Sequence, residues 1–175
     1  MTIGVDIKNK EFLVQNILTN PNKNLSKNEL EKLSLYKNEN NKIPVIFIGA
    51  GTCGLGAGAE KTIAATKNYL LKNGIEASIV ETGCIGLCSS EPIVDIKLPG
   101  KNRISFENIT VDKVESLLES IFSDKLNGES KLGQFYTEEN KEWQNVNDIN
   151  DHPFFKPQTS NIFPIMPSDG HTKKL

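Results

Sequence analysis

Three things are scarce in this chain of 175 residues: aromatic side chains at 7%, cysteine with 3 and histidine with 2. An odd cysteine count leaves no closed disulfide framework within one chain. Long apolar runs are absent too: no stretch approaches the roughly 18 residues that a membrane-spanning helix needs. The first residues, MTIGVDIKNKEFLVQN, lack the basic-then-apolar order of a secretory signal. A formal charge of −2 gives no electrostatic reason to expect nucleic acid or an anionic membrane surface as a partner. These absences together read as a protein of a reducing compartment, expected to be cytoplasmic.

What is present is concentrated in the middle of the chain. Residues 1–43 are rich in Asn and Lys, with short amphipathic stretches at Glu11–Leu18 and Ser26–Tyr36, the second opening on a capping-box pair, Ser26 and Glu29. They read as a helical arm, docked on its own domain or gripping another subunit. Beyond Phe122 the composition turns polar again. Residues 124–150 read as a linker or extended arm, and HPFFKPQTSNIFPIMP at 152–167, with its interleaved prolines, as a tail that no regular element can accommodate. The division is therefore an arm over 1–43, a domain over 44–122, and a polar linker with an extended tail over 123–175.

Within the central domain the periodicities are legible. Pro44–Ile48 is a short β-branched run closed by glycines, hence a buried strand. Residues 57–73 carry Ala, Ile, Tyr and Leu at helical spacing and stop at Gly74. Glu76–Glu81, Ile93–Leu98 and Arg103–Phe106 read as three more strands, and Val111–Phe122 as a helix with Val111, Val114, Leu117, Leu118 and Ile121 on one stripe. The order β-α-β-β-β-α predicts an α/β fold of thioredoxin-like type. The first two strands should be parallel through a right-handed crossover, and the last two antiparallel across the turn Pro99–Asn102.

Cys53 follows the first strand, and Cys84 and Cys88 share the loop after the second. The ends of neighbouring parallel strands lie side by side, so the three thiols can converge. The surrounding glycines let backbone N–H groups turn toward sulfur, which suits an iron–sulfur site. Other readings stay open on the residues alone. Gly51–Gly58 has the look of a phosphate loop but lacks its Lys-Ser/Thr pair. Zinc needs a fourth ligand, and neither His152 nor His171 is spaced to supply one. A thioredoxin redox pair needs Cys-x-x-Cys, one residue shorter than Cys84–Cys88. Three buried, inert cysteines are the remaining possibility. Glu91, before Pro92, reads as a turn residue, and Thr52, Ser89 and Ser90 are the nearby oxygen donors.

The runs GTCGLGAGAEKT and ETGCIGLCSSEPIVDIKLPGKNRISFENIT resemble the thioredoxin-like N-terminal domain of NADH-binding flavoprotein subunits. These occur in respiratory complex I, electron-bifurcating hydrogenases and NADH:ferredoxin oxidoreductases. The runs are similar also to the [2Fe–2S] ferredoxin subunits of those complexes. The resemblance covers residues 44–122 and resumes at HPFFKPQ. It implies a thioredoxin-like [2Fe–2S] ferredoxin fold with extended arms at both ends, and Cys53, Cys84 and Cys88 as cluster ligands. It further implies a partner flavin/NADH-binding subunit alongside other iron–sulfur subunits. Two departures qualify it. The four-cysteine form of the domain places its first ligand where this chain has Ile48, so the fourth ligand is not identified. And no flavin or NADH domain follows HPFFKPQ, so the chain is expected to be non-catalytic alone. The expectation is an electron-transfer subunit of an NADH:acceptor oxidoreductase. The alternatives are a binding or assembly module that has lost its cluster, or a truncated flavoprotein-subunit fragment.

Overall fold

The structure is a computed structural model. It describes Ser26, Lys27 and residues 42–126, 128 and 130–157. The chain divides into two units, Met1–Glu39 and Asn40–Leu175, and the second holds the sheet and all three cysteines. Apart from Ser26, Lys27, Lys42 and Ile43, the expected N-terminal helical arm lies outside the described residues, as does the tail beyond residue 157.

The five strands of the sheet are β1 (Val45–Gly49), β2 (Ser78–Thr82), β3 (Val94–Lys97), β4 (Arg103–Phe106) and β5 (Lys131–Phe135), in the order β2-β1-β3-β4-β5. β1 and β2 are parallel, with Val45 opposite Ser78 and Gly49 opposite Thr82. β1 with β3, β3 with β4 and β4 with β5 are antiparallel. The helices are α1 (Thr52–Gly56), α2 (Ala59–Lys72) and α3 (Val114–Phe122). The chain follows the predicted β-α-β-β-β-α order with two additions, α1 ahead of α2 and β5 after α3, and one parallel pair with an antiparallel remainder makes the arrangement thioredoxin-like.

Strand alternation explains how the core forms. Ile46 and Ile48 of β1, Val94 and Ile96 of β3, and Ile104 and Phe106 of β4 are each at most 2% exposed and line one face. Onto that face α3 lays Val114, Leu117, Leu118 and Ile121, at the i, i+3, i+4, i+7 spacing of a single stripe. Each such side chain contributes about 1.5–3 kcal/mol on burial. Ile48 therefore belongs to this core. α2 ends where the sequence says it must: Gly74 sits at φ 63°, the Gly74 N–H bonds to Leu71 O and the Ile75 N–H to Leu70 O. That pair of bonds is a Schellman motif, and Ile75 packs on the core behind it. On the opposite face of the sheet the Arg103 guanidinium lies 3.9 Å from the Phe135 ring centre and 5.1 Å from that of Phe47.

Residues 124–150 are not the linker that their composition suggests. β5 extends the sheet beside β4, and Trp143 is 3% exposed within the main core. Apolar patterning is weak here because much of the attachment is polar. Buried Asn102 donates from Nδ2 to Gln134 Oε1, and its Oδ1 accepts from the Thr137 backbone N–H and hydroxyl. Gln134 Nε2 donates to the carbonyls of Trp143 and Val146, while the Trp143 backbone N–H donates to Gln134 Oε1. The indole N–H reaches Asn102 O at 2.7 Å. A satisfied buried network of this kind holds a segment in place with few large apolar residues.

Candidate metal centre

The chain leaves β1 at Gly49 and turns at once into α1, whose first turn carries Cys53. After β2 it enters the loop of Cys84, and a short 3₁₀ turn, Cys88–Ser90, carries the third cysteine. Because β1 and β2 are adjacent and parallel, their C-terminal ends place both loops together. The three Sγ atoms all lie within 4.8 Å of one another, with Cys84 and Cys88 3.7 Å apart. Cys53 is half-buried, whereas Cys84 and Cys88 are exposed.

The arrangement fits a metal or a cluster. Two thiolates on one tetrahedral metal at ~2.3 Å stand ~3.8 Å apart, close to the Cys84–Cys88 separation. The Gly86 N–H donates to Cys84 Sγ at 3.3 Å, offering the sulfur a stabilising dipole. A Cβ on Gly51 would stand 2.9 Å from the Cys84 backbone nitrogen, so the two loops meet this closely only with glycine there. The thiols already sense one another: the Cys88 pKa is raised, chiefly by its hydrogen bond to Cys53, while that to Cys84 lowers it.

The remaining residues singled out from sequence fall elsewhere. Ile48 is fully buried in the core and presents nothing to the cysteines. His152 accepts the Phe154 N–H at its Nδ1 and does not belong to the cysteine group. The Ser90 hydroxyl is committed to Glu107 Oε2 at 2.5 Å, and Ser130 donates to the other oxygen. Those two hydroxyls hold the Glu107 carboxyl below its usual range, Ser90 contributing most. The HPFF segment is placed beside the cysteine loop: Phe155 packs with Ile85 and Leu87 against Ile93, Leu132 and Ile149, and Phe154 approaches Gly86. Sequence reasoning missed Glu91. Expected as a turn residue, it is only 6% exposed, and its Oε2 accepts the Ile93 N–H at 2.9 Å. Nothing along the chain marks it: Gly49 and Gly54, whose missing side chains leave room for its carboxylate, become its neighbours only in the fold.

Fold and site together define a thioredoxin-like α/β domain bearing a three-cysteine centre that fits a possible [2Fe–2S] cluster. Among proteins of known role, the chain is similar to the NADP-reducing hydrogenase subunit HndB of Solidesulfovibrio fructosivorans, 28% identical over 75 residues. That match spans 42% of this chain and 60% of the relative's length. In fold the chain is similar to the thioredoxin-like [2Fe–2S] ferredoxin of Aquifex aeolicus. One structure of that protein has a TM-score of 0.46 at 12% identity, covering 55% of this chain and 96% of the ferredoxin. A second, of the wild-type ferredoxin, has a TM-score of 0.40 at 14% identity, covering 47% and 88%. No established family profile matches the chain. Among the described residues, no helix is long and apolar enough to cross a membrane.

Proposed function

We propose that this chain is an electron-transfer subunit of a redox complex, carrying a [2Fe–2S] cluster on Cys53, Cys84 and Cys88. The observation that carries the reading is the convergence of three sulfurs from two loops within 4.8 Å. The cluster, when bound, supplies one-electron chemistry. The protein's own part is to hold the thiolates, to direct the Gly86 N–H at one of them, and to cover part of the loop with Phe154 and Phe155. The similarity to a hydrogenase subunit supports a partner that handles a nicotinamide nucleotide. The resemblance of the Cys-Ile-Gly-Leu-Cys and Glu-Pro-Ile-Val runs to flavoprotein N-terminal domains supports a separate flavin/NADH-binding subunit and further iron–sulfur subunits as neighbours, in the cytoplasm.

Burial of Ile48 favours a second reading, an assembly module without a cluster, because the position of a fourth cysteine is occupied by core. One experiment separates the two. Iron and acid-labile sulfide are measured on protein purified without oxygen, followed by electron paramagnetic resonance after reduction. About two irons per chain with a single-electron signal support electron transfer, and Cys84→Ala abolishes the signal. Folded, iron-free protein refutes the cluster; zinc in its place would show that the thiols serve a structural metal.

A further inference from the structure

Packed against the Cys53 turn, and largely out of water, lies a carboxylate. Glu91 lies beyond the Cys88–Ser90 turn, where an acidic side chain beside a proline is ordinarily solvated. Here it folds inward and is 6% exposed. Its Oε2 would stand 2.6 Å from a Cβ on Gly49 and 3.2 Å from one on Gly54. The carboxylate therefore rests against the end of β1 and the first turn of α1, immediately beside Cys53. A single backbone N–H, that of Ile93, fixes it at 2.9 Å. An amide would satisfy the same N–H, so that bond alone does not explain a carboxylate in a position where burying charge is expensive.

We propose that Glu91 is a positioning residue whose buried negative charge, seated under the Cys53 turn between Gly49 and Gly54, holds the reduction potential of the centre low. This rests on the reading of the centre as an iron–sulfur site. The sign follows from electrostatics: reduction adds an electron to an already anionic thiolate-bound group, and a fixed anion close by and shielded from water disfavours the added charge. Neither an oxygen ligand nor a proton transfer is required of Glu91.

Glu91→Gln keeps the shape and the acceptor for the Ile93 N–H while removing the charge. Glu115→Gln removes the same charge from α3, where Glu115 pairs with Lys72 at the surface. Iron content and a redox titration followed by electron paramagnetic resonance are recorded on the full-length wild type and both variants. The expected result is wild-type iron in both variants. The affinity of the Glu91→Gln centre for an electron should rise at least tenfold, about 59 mV for a one-electron couple, and that of Glu115→Gln should change less than threefold. A Glu91→Gln centre with wild-type iron and an unchanged potential overturns the proposal. So does a Glu91→Gln chain that fails to fold or to retain iron, for the carboxylate would then be a structural or ligating group. A wild-type chain without iron overturns the cluster reading and this inference with it, and the iron assay distinguishes that case from the others.

Discussion

Trp143 gives the sharpest test of where this domain ends. If residues 124–150 were a linker, replacing its tryptophan would change stability by less than about 0.5 kcal/mol, as for surface positions generally. The structure requires otherwise. The ring is 3% exposed in the main core, its N–H donates to Asn102 O at 2.7 Å, and the Lys101 ammonium stands 4.1 Å from its centre. Trp143→Ala removes the ring and leaves a cavity, a change worth about 3–5 kcal/mol. Trp143→Phe keeps most of the apolar volume but leaves Asn102 O without this donor, worth about 1–3 kcal/mol. With a shift of roughly 2–4 °C per kcal/mol for a chain of this size, the alanine variant should melt about 6–20 °C below wild type. Urea unfolding followed by far-ultraviolet circular dichroism measures both variants on one scale. Trp143 is the only tryptophan in the sequence, so its emission also reports the unfolding of the wild type directly. An alanine variant within 0.5 kcal/mol of wild type would refute the placement of this segment in the core.

Other substitutions test the site and its surroundings. Gly54→Ala should disrupt the Cys53 turn, because the added methyl would overlap the Gly49 carbonyl oxygen. Gly56→Ala, in the same helix with nothing within 4 Å of the added atom, should be neutral or stabilise by about 0.5–1 kcal/mol. Urea unfolding and iron retention of the two variants check the contrast. Stability should fall with acid in part through Glu107, whose pKa is depressed in the folded state by Ser90 and then Ser130. A carboxyl with a depressed folded pKa contributes stability that is present above its unfolded pKa of about 4.3 and is lost as pH falls through the folded value. Ser90→Ala should therefore flatten the acid limb of a stability-versus-pH curve measured from pH 7 downward, and an unaltered limb would refute that role for the Ser90 hydroxyl. Cys84→Ala should remove both the iron and the paramagnetic signal while leaving the melting of the iron-free protein nearly unchanged, since the Cys84 side chain is exposed.

The elements of the central domain were legible along the chain because their causes are local. β-Branched runs became strands, and Val114, Leu117, Leu118 and Ile121 became a helix because only one helical face carried them, while Val111, read on the same stripe, lies exposed in the 3₁₀ turn before it. Gly74 stopped α2 because the left-handed position after that helix suits glycine. The pairing of the cysteine loops was also legible, since a helix between two strands implies parallel neighbours whose ends coincide. The boundaries moved where local signals compete: Cys53, read in a loop, sits in α1, and the helix read over 57–73 begins at Ala59.

Long-range packing set the remainder. β5 and Trp143 were invisible to hydrophobic patterning because Gln134 and Asn102 tie that segment down through hydrogen bonds, which leave no periodic signature in composition. Glu91 was equally hidden. An acidic residue before proline is a solvated turn residue by default, and only the approach of the Cys53 turn to β1, with glycine at positions 49 and 54, turns its carboxylate inward. Exposure and charge at one residue are set by what the fold brings over it, and no reading of neighbours along the chain contains that information.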